Sequence, residues 1–336
     1  MTTTFLPNGL CTGFGTLPQE LPEDALEIVR TCTPDLPWWP QLPSHCALES
    51  PVYTVLDALR PFLLIDAENA RIEVRPDRFD EMLTFLELGD ADIPDLPDGT
   101  MPLMLDAFAA GRFPLARAVK SQILGPLSLA LIVAHPDGVP LLARPACVEA
   151  LGRYVSHLAW QQIRRLRQCG VPVLLYVEEP ALGMLEVAPR MDEWIAPLHD
   201  TIQHIRDLGA LVGLQFGVRY GPHTALAAKP DIISVEPCLS VYSADHLRGL
   251  RHFVEDGGLV SFGIVPACGL AMPHNLLWHA WSRLADRLGE APDVARRCLI
   301  TTHTGLHDLS LEAARGAMER AAQLAETVRA VAGEAR

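Results

Sequence analysis

Lysine is nearly absent from this sequence: Lys120 and Lys229 are the only two in 336 residues, and the remaining basic side chains are arginine. Basic charge as a whole is also short, with 27 Lys and Arg against 41 Asp and Glu and a formal net charge of −14. That balance excludes the positive surface that nucleic acids or anionic membranes require, so neither is expected as a partner. No uninterrupted apolar stretch approaches the ~20 residues of a membrane span. The first ten residues, MTTTFLPNGL, carry no basic region and no long apolar run, so they do not read as a secretory signal. No C-x-x-C pair occurs among Cys11, Cys32, Cys46, Cys147, Cys169, Cys238, Cys268 and Cys298. Scattered cysteines of this kind predict free thiols in a reducing cytoplasm, most of them small buried apolar residues. Cys238 and Cys268 stand apart because each follows a strand end. A glycine-rich dinucleotide fingerprint is missing too, which counts against a doubly wound open sheet.

What the sequence does hold is a large apolar fraction, 49%, and a length that suits one barrel rather than two small domains. Its most telling stretch is Val171–Leu182, VPVLLYVEEPAL. Val173 to Val177 form a continuous apolar run, as in a parallel strand buried on both faces. The run ends in Glu178 and Glu179, and Pro180 stops the ladder there. Because side chains alternate along a strand, at most one of the two glutamates points into a shared central site.

From Gly170 onward, helices and strands alternate. Strands are predicted over Leu211–Phe216, Ile232–Val235, Val260–Val265 and Cys298–Thr302, with helices between them and a closing helix over Leu309–Ala332. Repeated right-handed crossovers close into a barrel, so a single (β/α)8 TIM barrel over 1–336 is expected. Its N-terminal third, about 37–112, reads as an elaboration, with a hairpin over Phe62–Arg75 and a helix over Asp77–Leu88. The stretch Asp90–Gly99 reads as a loop. Leu115–Leu124 reads as a strand carrying Lys120 and Gln122 on one face. An ion pair with a barrel glutamate and a catalytic role are both open for that lysine.

The strand ends are polar where the strands feeding them are apolar: Thr16, Gln122, Glu178-Glu179, Gln215, Glu236, Cys268 and His303. Convergence of this kind, at the end of parallel strands where ligands bind, predicts one site lined by these residues. Two carboxylates facing one cavity would raise each other's pKa or hold a cation. His303 and His307 have H-x-x-x-H spacing, but Thr304 and Gly305 between them disfavour the helix that would bring both to one metal.

The order of the motifs GFGTLPQ, PWWPQLP, KSQILGP, VEEPAL, ISVEP, GIVP and ITTHTGL resembles the C-terminal barrel of cobalamin-independent methionine synthases and their standalone relatives. That family shares a superfamily with uroporphyrinogen decarboxylase. The resemblance implies methyl transfer from a methylated folate (methyltetrahydrofolate) or a corrinoid (methylcobalamin, or a corrinoid protein) onto a zinc-bound thiolate. It assigns Phe14, Gly15 and Thr16 to the turn that holds a substrate carboxylate, and Glu178 to the substrate amino group. Glu179 matches the acid that follows, and Glu236 the carboxylate zinc ligand; Glu179, Glu236 and His303 are the expected catalytic residues. Gln122 and Gln215 complete the expected substrate contacts.

The other zinc ligands of the family do not carry over. Its H-x-C motif falls on Gln215-Phe216-Gly217, and its late cysteine falls on Thr304. One carboxylate does not hold zinc, so a metal would need a rebuilt set, Glu236 with His303 and Cys268. The expectation is therefore a methyltransferase-like enzyme that is not an ordinary zinc-dependent methionine synthase. Its expected substrate is a small thiol or an amino-acid-like molecule. A decarboxylase or lyase of the tetrapyrrole type would need arginines at the mouth, for which Arg112 and Arg219 are the candidates. A barrel that only binds a corrinoid or a partner protein is the third reading.

Overall fold

The computed structural model describes residues 5–66, 68–87, 93–94, 99–185, 191–217, 222–236 and 238–333. Among the described residues, ten strands form two sheets. In chain order they are β1 (Leu10–Cys11), β2 (Leu63–Asp66), β3 (Arg71–Val74), β4 (Val119–Leu124), β5 (Val133–Ala134), β6 (Val173–Glu179), β7 (Leu211–Phe216), β8 (Ile232–Val235), β9 (Leu259–Val265) and β10 (Cys298–Thr302). Seven of them make a curled, wholly parallel sheet in the order β1-β10-β9-β8-β7-β6-β4. The smaller sheet, β2-β3-β5, contains the expected hairpin. Its turn is held by Asp66, whose carboxylate accepts from the backbone of Glu68 and Asn69.

The order of the large sheet leaves β1 and β4 at its edges, and residues 37–41 lie between them. On one side Trp39 N–H donates to Lys120 O and Lys120 N–H to Pro37 O, both at 2.9 Å. On the other, Gln41 N–H donates to Gly15 O at 2.9 Å and Leu17 N–H to Gln41 O at 3.0 Å. Only isolated parallel bridges result, Trp38 to Lys120 and Thr16 to Gln41. The physical reason is in the sequence PWWPQLP: Pro37 and Pro40 have no N–H to give to a ladder. The sequence groups this segment with the N-terminal elaboration, whereas its backbone pairs with both edges of the central sheet.

Helices cover the outer face. The longest, Pro145–Leu166 and Leu311–Ala332, each span 22 residues. The second is capped by the Ser310 side chain, which accepts from Ala313 N–H, and ends at Gly333 in the left-handed region. Two helices that the sequence reading passes over, Met101–Ala109 and Ala291–Arg296, complete the cover. Most of the expected loop over Asp90–Gly99 lies outside the described residues. None of the described helices is long and apolar enough to cross a membrane.

The core has two parts. A large cluster fills the space between sheet and helices. A small one sits inside the curl, where Leu10, Leu36, Ala118, Leu174, Ile232, Leu259 and Leu299 close the N-terminal end of the interior. All eight cysteines are free thiols; Cys11, Cys32, Cys147 and Cys298 are buried, and Cys238 and Cys268 are exposed. Burial pushes the Cys298 thiol up to about 12, the behaviour of an inert core residue.

Candidate functional site

Register decides which polar residues meet. Gln122 on β4 aligns with Tyr176 on β6, and Tyr176 with Gly213 on β7; two residues on, Leu124 aligns with Glu178 and Glu178 with Gln215. Aligned residues of parallel strands share a face, so Lys120, Gln122, Tyr176, Glu178 and Gln215 all face the interior of the curl. Ser234 and Ser261 are likewise aligned on β8 and β9, and Leu299 of β10 with Ser261, which puts Thr301 and His303 on the same side. Above the apolar floor the interior is therefore polar.

Lys120 occupies its middle and is wholly buried. Its Nζ lies 4.5 Å from the ring centroids of both Phe14 and Tyr176, and 3.2 Å from Gln122 Oε1. The two rings meet edge to face, with centroids 5.4 Å apart. Gly213 makes room for this, because a Cβ there would sit 2.7 Å from the Tyr176 ring. Burial pushes the Lys120 ammonium down to about 7, opposed by the charge of Glu178. Burial likewise raises Glu178, opposed by Lys120. Glu178 is nevertheless partly accessible to solvent, and it lies under the Gly15 turn, where φ is +44°.

Glu179 does not join them. It faces the other side of the sheet, fully buried, against the start of the helix Pro126–Ile132. Its carboxylate accepts from Leu127 N–H at 2.8 Å, Ser128 N–H at 2.7 Å and Ser128 Oγ at 2.6 Å. Burial raises it to about 7, against the pull of these three donors. Expected as catalytic, Glu179 is instead an anchor between a strand end and a helix start, because alternation sends only Glu178 inward.

At the mouth Glu236 and His303 come together, with Oε1 and Nε2 2.6 Å apart. The contact is bent away from hydrogen-bonding geometry, and Glu236 Oε1 is buried with no hydrogen-bond partner among the described residues. The backbone N–H of Glu236 donates to Tyr242 Oη at 2.9 Å, which fixes the strand end. Phe14, Gln215, Ser234, Tyr242 and Gly263 complete a narrow inner recess around this pair. On its far side the same pair borders an open cleft of about 520 Å³, walled by Pro266, Ala267, Cys268, Met272 and Ala280.

Cys268 thus shares a cleft with Glu236 and His303 but does not close on them. Among the described residues no three His, Cys, Asp or Glu side chains gather as a metal ion would need. Zinc takes at least three protein ligands, so one carboxylate and one imidazole do not fit it, and the rebuilt set Glu236, Cys268 and His303 is not assembled.

The other expected substrate contacts are held within the protein. Gln122 Nε2 donates to Trp39 O and to Gln41 Oε1, both at 3.1 Å. Phe14 covers Lys120. Thr16 Oγ1 pairs with His307 Nδ1 at 2.9 Å, and Leu306 N–H donates to Thr16 O at 2.7 Å. The two histidines of H-x-x-x-H therefore part company: His303 faces Glu236 and His307 fixes the Gly15–Thr16 turn. Gly305 is required at that crossing, since a Cβ there would lie 2.2 Å from Thr16 Oγ1. Arg112 is exposed and acts electrostatically on Glu27, away from the mouth, while Arg219 lies outside the described residues. Sequence reasoning left Tyr176 inside its apolar run and gave no part to Tyr242; strand alternation counted from Glu178 identifies the first. The sequence matches no protein-family model, and no curated protein matches it.

Proposed function

We propose that the chain is a (β/α)8-barrel enzyme of the methyl-transfer type, with residues 37–41 serving as the second barrel strand between β1 and β4. Its active site is the mouth that holds Glu178, Gln215, Glu236 and His303. The observation that carries this reading is the Glu236–His303 contact, set between a narrow polar recess and a wide cleft. An imidazole in contact with a carboxylate is a general base suited to a thiol, whose ordinary pKa lies about 2 units above that of histidine. A small thiol or amino-acid-like acceptor lies at the mouth with its sulfur toward the recess, its ammonium toward Glu178 and its carboxylate toward the Gly15–Thr16 turn. The donor, a methylated folate or corrinoid, lies in the outer cleft. His303 takes the thiol proton on one ring nitrogen while Glu236 holds the imidazolium through Nε2. The sulfur then attacks the methyl carbon; the new C–S bond forms as the bond to the donor breaks, and its electron pair leaves with the donor. No zinc enters, because the residues present do not fit it.

The test is transfer of a labelled methyl group to a panel of small thiols by chelator-treated protein. Methyltetrahydrofolate and methylcobalamin serve as donors. Transfer survives the chelator, is slow with homocysteine, and falls on the order of 100-fold in His303→Asn. No transfer from either donor to any thiol would sink the reading. A barrel that binds a corrinoid or a partner without chemistry is favoured by one feature, the apolar wall of the outer cleft. Methylcobalamin bound without turnover is the result that would select it.

A further inference from the structure

The interior holds one feature that methyl transfer does not use: a buried lysine placed behind the carboxylate of the mouth. The titratable groups that face it are Glu178 and Tyr176 from β6 and, nearer the mouth, Glu236 at the end of β8 and His303 after β10. The other surrounding elements present neutral groups only. These are Thr12 and Phe14 from the β1 side, Gly213 and Gln215 from β7, Ser261 from β9, and Trp38 and Gln41 from the bridging segment. Among the described residues, Glu178 is the carboxylate whose charge acts on Lys120. The same carboxylate is partly open to the mouth, whereas the lysine is sealed under the Phe14 ring.

A ligand that brings an ammonium group to Glu178 would place two cations on one carboxylate in a water-poor interior, and like charges so confined disfavour each other's charged form. The lysine is the one that can yield. Its cage of two rings and a glutamine suits either state. Burial has already moved its pKa to about 7, so losing the proton is cheap near neutral pH. The surroundings are ready for the neutral amine as well. Thr12 Oγ1 is buried on the inward-facing side after β1 without a hydrogen-bond partner among the described residues. A neutral amine accepts from such a hydroxyl, and an ammonium cannot.

The geometry points to Lys120 as a stored counter-ion. It neutralises Glu178 while the mouth is empty, and it gives its proton to solvent when the ammonium of a small amino-acid-like ligand takes that carboxylate. This rests on the reading of Glu178 as the ammonium-binding residue of the mouth. The proton balance is simple: one N–H bond of Lys120 breaks, one proton appears in solution, and the ligand's positive charge replaces the lost one.

The sequence makes a direct test practicable, because Lys229, the only other lysine, is exposed and serves as an internal control. Isotope-labelled lysine gives two side-chain signals by NMR, assigned by Lys229→Arg. At about pH 6, below the lowered value, Lys120 is expected to read as charged in the free protein. Saturating L-methionine, used as the probe, is expected to convert it to the neutral form, and the des-amino analogue methylthiobutyrate to leave it charged. In Glu178→Gln, Lys120 is expected to read as neutral without ligand. Lys120→Arg, which cannot lose its charge, should weaken L-methionine on the order of tenfold or more while leaving methylthiobutyrate unchanged. L-methionine bound with Lys120 still charged would overturn the proposal and spare the reading of Glu178. Methylthiobutyrate bound without any binding of L-methionine would overturn that reading and the proposal with it. A Lys120 that stays charged in Glu178→Gln would overturn the counter-ion role regardless of ligand.

Discussion

Glu178 and Glu179 are adjacent in sequence and belong to opposite sides of one strand. The inner one shares a polar interior with a lysine and is partly open to the mouth. The outer one is closed off and satisfied by three donors from a single helix start. A carboxylate whose acceptor sites are filled by backbone and serine has little left to offer a ligand. Its neighbour faces the charge of Lys120 and stays partly accessible at the mouth. The same residue type is therefore closed in on one face of β6 and left open to the mouth on the other, and the sorting is done by strand alternation alone.

The contrast breaks most clearly under truncation. Glu179→Ala strands three buried donors and is expected to cost about 3 kcal/mol or more of unfolding free energy in a urea titration. Glu178→Ala leaves Lys120 to become neutral in place and is expected to cost about 1 kcal/mol. Equal costs would mean that the two faces are not distinguished as described.

A pH series sharpens the comparison. The carboxyl of Glu179 is raised from its ordinary value of 4.5 to about 7. Between those values the folded protein binds a proton that the unfolded chain has lost, so stability declines as pH rises through the window. The stabilising contribution is complete below about 4.5 and gone above about 7. Measured against Glu179→Gln, which has no such proton, wild-type stability is expected to fall by on the order of 2–3 kcal/mol across that span. A rise instead would show that the three donors outweigh burial.

A smaller effect is expected at the wall behind Glu179. A Cβ on Gly125 would lie 2.3 Å from Glu179 Oε1, so Gly125→Ala should displace the carboxylate and cost about 1–3 kcal/mol. The inner pair should be untouched, which the NMR signal of Lys120 would report.

These differences also show what was legible in the sequence. The ranges of β7, β8 and β10 are those expected, because buried parallel strands between helices appear as short apolar runs with sharp ends. That the glutamates part was legible too; which one faces inward was not, since it depends on where the alternation is anchored. Residues 37–41 were misplaced because a proline-interrupted segment that pairs only through isolated bridges leaves no apolar run to read. The pairing of Thr16 with His307, 291 positions apart, leaves no local trace at all. Nor could spacing show that Cys268 lies along the cleft without closing on Glu236 and His303.

The bridging segment has one more consequence. Parallel edge strands such as β1 and β4 present unpaired backbone groups, ready templates on which a second molecule can add a strand. Residues 37–41 cover both templates at once. With prolines at positions 37, 40 and 43, the covering segment is itself unable to recruit a further strand. The same prolines that keep this segment from forming a regular strand thus guard the sheet edges against sticky self-association.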